Sequence, residues 1–137
     1  MKQLSIFIEN KSGTLIRVLD ILSRAGIQII ASTVADTKDF GIYRVLCDKP
    51  EQAFIMLNES GINVQLTHVY AISIDDEPGR AANAVNMLSQ AGISLLYLYS
   101  FLWKGRGVLV FRAEPSELVE QVVKANSLTV LDEGEFA

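Results

Sequence analysis

Residues 8–13, IENKSG, return in altered form at residues 74–79 as IDDEPG. Both stretches end in a glycine, and Gly13 and Gly79 are 66 residues apart. The same offset carries residues 22–27, LSRAGI, onto residues 88–93, LSQAGI. An offset that is held over several motifs indicates one structural unit written twice in the chain, and such units often pack by pseudo-symmetry.

Length and composition fit two small units that share an interface. Half of the 137 residues are hydrophobic and a fifth are charged, so core material is plentiful, but a unit of roughly 65 residues buries its surface poorly on its own. No Gly/Ser- or Pro-rich linker separates the halves. We therefore expect two closely docked units, at residues 1–67 and 68–137.

Each half shows the same order of predicted elements, β-α-β-β-α-β, from alternating strands and helically spaced leucines. In the first half the strands are predicted at 3–9, 27–37, 42–47 and 62–67 and the helices at 14–25 and 50–59. In the second half the strands are predicted at 69–75, 93–103, 108–113 and 128–132 and the helices at 79–91 and 115–125, followed by a frayed acidic tail. This order predicts an α+β fold of two ferredoxin-like units, each with two helices on one face of a four-stranded antiparallel sheet.

Charge and cysteine content exclude several classes of protein. A net charge of −4 argues against a nucleic-acid partner, which requires a basic surface. No apolar run approaches a transmembrane length, and the N-terminus does not resemble a signal peptide, so no membrane association is expected. The single cysteine, Cys47, cannot form an intrachain disulfide, which favours a reducing cytoplasm and a small buried side chain.

Residues with catalytic or metal-binding potential are scarce. His68 is the only histidine, and a lone histidine is more often a structural hydrogen-bonding group than a catalyst. No Cys/His cluster has zinc-ligand spacing, no nucleophile has a base at motif spacing, and no phosphate-binding glycine motif is present. We therefore expect no enzyme activity, no metal and no cofactor.

The repeated motifs resemble those of the ACT domain, a small-molecule sensing module found beside many enzymes of amino-acid metabolism. Residues 10–15, NKSGTL, match the family pattern D/N-x-P-G-x-L except that Ser12 replaces the proline. Residues 76–81, DEPGRA, restore Pro78 but place Ala81 where a leucine is expected. The resemblance covers both halves and implies a free-standing tandem ACT protein.

The resemblance implies that an amino acid binds where ACT units meet, between the first loop of one unit and the second strand of its neighbour. Glycines at a helix N-terminus also allow close approach of the backbone, and free N–H groups there favour a carboxylate. The alternative is that these residues serve only turn and capping geometry. The predicted ligand-binding residues are Asn10, Ser12, Gly13, Thr14, Leu15, Ile29, Ile30, Asp76, Pro78, Gly79, Arg80, Leu95 and Leu96.

Two further features have alternative interpretations. Tyr97, Tyr99, Phe101 and Trp103 alternate along one strand, and they either line a ligand pocket or pack at an interface, the interpretation that we favour. The intervening leucines at 96, 98 and 102 predict a strand that is buried on both faces. Arg80 either reaches a ligand carboxylate or faces solvent in the first turn of a helix.

Two hypotheses follow for the function. The first is a regulatory, cytoplasmic homodimer that binds a free amino acid at an ACT–ACT interface and thereby modulates a metabolic enzyme. The second is a ligand-free interaction module that acts as a regulatory subunit.

Overall fold

The structure, a computed structural model, describes residues 1–9, 11–36, 40–75 and 77–136, with only the backbone described for Lys11 and Ser12. The chain forms two compact units. The N-terminal unit contains Lys2–His68 together with the segment from Glu133 onward, and the C-terminal unit contains Val69–Asp132 together with Met1. Within the described ranges, no helix combines the length and the apolar character needed to cross a lipid bilayer.

The N-terminal unit has the predicted order of elements. They are β1 (Lys2–Ile8), α1 (Lys11–Arg24), β2 (Ile29–Asp36), β3 (Gly41–Cys47), α2 (Pro50–Glu59) and β4 (Val64–His68). The strands form an antiparallel sheet in the order β2-β3-β1-β4. Alternate residues of β1, such as Leu4 and Ile6, pack with Leu22 of α1 and Leu57 of α2, so both helices cover one face of the sheet.

The C-terminal unit repeats this arrangement. Its elements are β5 (Tyr70–Ile74), α3 (Arg80–Gln90), β6 (Ser94–Trp103), β7 (Arg106–Glu114), α4 (Ser116–Ala125) and β8 (Thr129–Leu131). The sheet order is β6-β7-β5-β8, and its core joins Ile72 and Phe111 to Leu88 of α3 and Val119 of α4. The two sheets confirm the predicted fold class, because both show the strand order of a ferredoxin-like unit with two helices on one face.

The segment after β8 is ordered, although a frayed tail was expected from its acidic sequence. It forms a short 3₁₀ helix, Glu133–Phe136. The side chain of Phe136 is only 5% exposed, and the backbone N–H of Lys2 donates to the Glu133 carboxylate at 2.6 Å. Burial of the aromatic ring explains the order, since a large apolar side chain near the chain end anchors the residues around it.

The prediction that β6 is buried on both faces is wrong. Leu96, Leu98 and Leu102 are 50%, 45% and 63% exposed, whereas the aromatic residues between them are half-buried. The reason is topological: β6 is the edge strand of its sheet, and at the edge the helices cover its inner face only in part. Cys47, by contrast, is confirmed as a buried side chain within the N-terminal core, with 1% exposure.

Candidate functional site

The loop between β5 and α3 has a defined backbone turn. The Glu77 N–H donates to the Asp75 carbonyl at 2.9 Å, and the Arg80 N–H donates to the Glu77 carbonyl at 3.3 Å. Gly79 then precedes α3 with φ 86° and ψ −8°, which is the left-handed conformation that glycine adopts without steric cost. The first helical hydrogen bond follows at once, from the Asn83 N–H to the Gly79 carbonyl at 2.9 Å. The loop therefore presents the N-terminal end of a helix.

A cavity of about 400 Å³ lies between this loop and the ends of β6 and β7. The loop contributes polar groups, and β6 contributes the hydroxyl of Ser100 and the aliphatic side chain of Leu102, which lie on the same face of the strand because side chains alternate between its faces. The residues that line the cavity are Ile74, Asp75, Glu77, Gly79, Ala81, Ser100, Phe101, Leu102 and Gly107.

Strand register brings these residues together. Ile74 at the end of β5 pairs with Gly107 of β7, and Gly107 pairs in turn with Leu102 near the end of β6. Because β5 and β6 both run antiparallel to β7, these two strands are parallel to each other, and their C-terminal ends lie at the same end of the sheet. An ideal Cβ added to Gly107 would lie 2.9 Å from Cγ1 of Ile74 and 3.0 Å from the Ile74 carbonyl oxygen. A glycine at this position thus permits the close approach of β5 and β7 beside the cavity.

The charges of the loop are largely exposed. The Arg80 guanidinium contacts the Glu77 carboxylate at 3.1 Å and lies 3.7 Å from the Asp75 carboxylate. The side chains of Arg80, Asp75 and Glu77 are 46%, 76% and 62% exposed, so water screens these pairs and their contribution to stability is small. Both acidic side chains stay accessible to a cation or an ammonium group.

The corresponding loop of the N-terminal unit has a different local structure. Helix α1 begins at Lys11, so Gly13 lies inside its first turn, whereas α3 begins only after Gly79. A residue within a helix has negative φ, and of these two glycines only Gly79 is left-handed. Thr14 and Leu15 are half-buried in α1, and Leu15 packs against the N-terminal core. Asn10 and Asp76, the residues expected to meet an ammonium group, lie outside the described residues.

The second-strand residues predicted from sequence lie at the far end of their own sheets. Ile29 pairs with Cys47 and Leu95 pairs with Ala113, and Ile30 and Leu96 lie beside them. The loops, however, follow Ile8 and Ile74, at the opposite ends of the strands. Contact of these four residues with the loop of a neighbouring ACT unit stays a prediction.

Sequence analysis missed the residues that do lie beside the loop within the same unit, Ser100 and Leu102 above all. A signal for them was present, because the first two strands of a β-α-β unit run in the same direction. The end of the second strand, and not its start, therefore lies level with the loop that follows the first.

Pro78 and Arg80 flank Gly79 in the sequence, and both are exposed. Arg80 pairs with the loop carboxylates, so its guanidinium faces acidic groups of its own loop. Among the residues that the structure describes, no group of three or more His, Cys, Asp or Glu side chains is placed to hold a metal ion.

Comparison with known families and structures agrees with this geometry. A family model described as an ACT domain pair matches residues 1–137. The chain belongs to the ACT domain-pair family. A crystal structure of a protein from Bacteroides thetaiotaomicron is 35% identical, with a TM-score of 0.89 and coverage of 95% of this chain and 90% of that one.

More distant structures share the ACT-pair fold. The ligand-free regulatory subunit of aspartate kinase from Thermus thermophilus is 17% identical, with a TM-score of 0.67 and coverage of 92% and 90%. A structure of aspartokinase α and β subunits is 16% identical, with a TM-score of 0.62 and coverage of 92% of each chain. No curated protein matches the sequence significantly.

Proposed function

We propose that this ACT domain pair is a cytoplasmic regulatory protein without enzyme activity of its own. It binds a free amino acid beside the β5–α3 loop, at a seam with a neighbouring ACT unit, and ligand occupancy alters its contact with a metabolic enzyme. The observation that carries the proposal is the cavity of about 400 Å³ between the loop and the end of β6. The regulatory subunit of aspartate kinase, which shares the fold, is an example of the kind of role proposed.

The lining of this cavity complements the three parts of an α-amino acid. The backbone N–H groups of Ala81 and Ala82, in the first turn of α3, have no intrahelical acceptor and suit the ligand carboxylate. The carboxylates of Asp75 and Glu77 suit its ammonium group. Leu102 offers apolar contact to its side chain.

The C-terminal loop is the better candidate of the two loops for ligand binding. The left-handed Gly79 turns the chain so that α3 starts beside the cavity, and its acidic neighbours add charge complementary to an ammonium group. In the N-terminal unit the helix begins two residues before Gly13, so the loop that precedes it is shorter. We therefore assign primary binding to the C-terminal unit.

The ligand-free interaction module is the second candidate, and β6 is the observation that favours it. This edge strand is ten residues long and carries no charged side chain between Ser94 and Trp103. Natural edge strands are usually protected by charges, prolines or short length. Pairing of β6 with a second copy would cover the strand and would give the expected homodimer.

A thermal-shift screen against the twenty amino acids at millimolar concentration tests the proposal. A ligand at 100 times its dissociation constant should add roughly 2.7 kcal/mol to the free energy of unfolding. Ala81→Phe should abolish the shift, because Ala81 lines the cavity and a benzyl group would fill the space. Ala82→Phe is the matched control, since Ala82 is the next residue of α3 and is exposed.

Two results would overturn amino-acid binding at this cavity. The first is that no amino acid raises the melting temperature, and the second is that Ala81→Phe retains full affinity.

Sedimentation analysis of Leu98→Glu tests the second candidate. If the wild-type chain is a dimer through β6, a charge on the exposed face of that strand should dissociate it. A variant that stays dimeric would exclude β6 as the interface.

A further inference from the structure

A second cavity, of about 280 Å³, lies on the other side of the β5–α3 loop, toward β8. Its apolar wall includes Ala84 and Met87 of α3 and Leu128 before β8, and its rim includes Asp75, Arg80 and Asn83. Ala84 is only 3% exposed, so the cavity reaches down to the core of the unit. Neither the β6 strand nor the first-turn residue Ala81 takes part in it.

The internal repeat explains why the C-terminal unit has this space. With the offset of 66 residues, Ala84 corresponds to Val18 and Asn83 corresponds to Arg17. Val18 is fully buried in the N-terminal core, and the Arg17 guanidinium crosses from α1 to donate to the Ser60 carbonyl at the end of α2, at 2.5 Å. The C-terminal unit has lost side-chain volume at both positions.

The partner group of that bridge has changed as well. Ser60 corresponds to Asn126, whose side-chain amide donates to the Val122 carbonyl of its own helix at 2.9 Å. Helices α3 and α4 therefore lack the equivalent of the arginine bridge, and Asn83 is too short to replace it. Two smaller residues at adjacent positions leave the cavity open on the side where the N-terminal unit places a long side chain.

The rim carries one arginine beside two carboxylates, since the Arg80 guanidinium also contacts the Glu77 carboxylate at 3.1 Å. The Arg80 guanidinium and the Asp75 carboxylate are 3.7 Å apart, a separation longer than a hydrogen bond. A guanidinium has five N–H groups, so Arg80 can donate to a ligand carboxylate with those that do not bind Glu77. The Asp75 carboxylate can accept from a ligand ammonium, and the Asn83 amide can serve either group. Below the rim the wall is aliphatic, which suits a hydrocarbon side chain.

Size restricts the ligand further. The volume of about 280 Å³ lies just below the range of roughly 300–1,000 Å³ that is typical of pockets for drug-sized ligands, so the cavity suits a metabolite as small as an amino acid. We propose that this cavity is a second binding site, which adjoins the first at Ile74 and Asp75, for an α-amino acid with an aliphatic side chain such as that of leucine. The site depends on the residues that distinguish the C-terminal copy from the N-terminal one, and it goes beyond the binding proposed at β6.

Methionine-methyl NMR tests the site directly, because Met87 lines the cavity. The chain has three methionines, so selective ¹³C labelling gives a simple spectrum in which Met87→Leu assigns the Met87 signal. Titration with L-leucine should move the Met87 resonance saturably and leave Met56, in the N-terminal unit, in place. The analogues 4-methyl-2-oxopentanoate and 3-methylbutylamine each lack one charged group and should bind at least tenfold more weakly.

Two variants that copy the N-terminal unit serve as blocking mutations. Ala84→Val and Asn83→Arg should each reduce the affinity reported by Met87 at least tenfold. Ala82→Val is the matched control for the first variant, because it makes the same change at an exposed position of the same helix. Ala84→Val fills space, so its fold should be retained, and unchanged Met56 and Met1 signals would verify this.

The outcomes separate this site from the one beside β6. If Met87 does not respond to millimolar L-leucine, or if its response survives Ala84→Val, the second site is refuted. If an amino acid then still raises the melting temperature, and if Ala81→Phe abolishes that rise, binding beside β6 would stand and the second site would not. A Met87 response that Ala81→Phe leaves intact supports the second site, whatever the result at the first.

Discussion

Replacement of Gly79 and of Gly107 by alanine is expected to destabilise the C-terminal unit for two different physical reasons. Gly79 has φ 86°, and a Cβ at this position would meet nothing within 4 Å. Gly107 has no positive φ, but its Cβ would lie 2.9 Å from Cγ1 and 3.0 Å from the carbonyl oxygen of Ile74. The first site therefore tests backbone conformation and the second tests steric contact.

The magnitudes follow from these geometries. An alanine in the left-handed conformation destabilises the folded state by roughly 1–2 kcal/mol. The lower entropy of the unfolded chain offsets about 0.4–1 kcal/mol of this. Gly79→Ala should therefore lower the free energy of unfolding by about 1 kcal/mol. Gly79→Asn should cost less, because asparagine tolerates the left-handed region. Gly107→Ala should cost about 1–3 kcal/mol through overpacking, and Gly107→Asn should cost at least as much.

Urea denaturation, with the midpoint compared at constant m-value, measures these differences. Ile74→Ala is the matched background, because it removes the Cγ1 contact but leaves the carbonyl oxygen. In that background Gly107→Ala should become less costly by about 1 kcal/mol, whereas Gly79→Ala should cost the same as before. If asparagine at position 79 is worse than alanine, or if Gly107→Ala is neutral, the corresponding argument is wrong.

Two further predictions concern the N-terminal unit. Burial raises the pKa of the Cys47 thiol from 9.0 to about 11. Between those pH values the thiol loses its proton in the unfolded chain but keeps it in the folded protein. The stability that is fully present below pH 9 should therefore fall by roughly 3 kcal/mol as the pH rises to about 11. The slope of the denaturation free energy against pH should be shallower in Cys47→Ala, and equal slopes would contradict this account. Phe136→Ala should lower the free energy of unfolding by about 3–5 kcal/mol, because the ring is only 5% exposed. Thermal unfolding measures this change, with Glu135→Ala as the exposed control. A loss of stability below about 1 kcal/mol would show that the terminal segment frays as its sequence suggests.

Local signals in the sequence were sufficient for the order of elements. Helical spacing of leucines and the Ala-Gly-Ile ends predicted α1 and α3, and Gly26 and Gly92 indeed adopt positive φ there. The repeat at an offset of 66 residues predicted that both halves share one topology, and the two sheets have the same strand order. These features depend on neighbouring residues, so they can be recognised without knowledge of distant contacts.

The candidate site could be predicted only in part. Gly79 was predicted to lie at the N-terminus of a helix, and it is the residue that precedes α3. Ser100 and Leu102 were not identified as site residues, because their place beside the loop depends on the register of β6 against β7 and of β7 against β5. The second cavity depends on Ala84 and Asn83, which no motif marks and which stand out only when the two units are compared.

Local patterns in the chain were therefore enough to predict two β-α-β-β-α-β units, the ends of their helices to within a few residues, and the position of the glycine loops before helices. The tertiary structure alone decided which strand is an edge, which leucines are exposed, and that the last residues belong with the first unit. Periodicity and capping act over one or two turns of chain, whereas exposure and pocket formation depend on residues far apart in sequence. No local pattern specifies which of those residues come together.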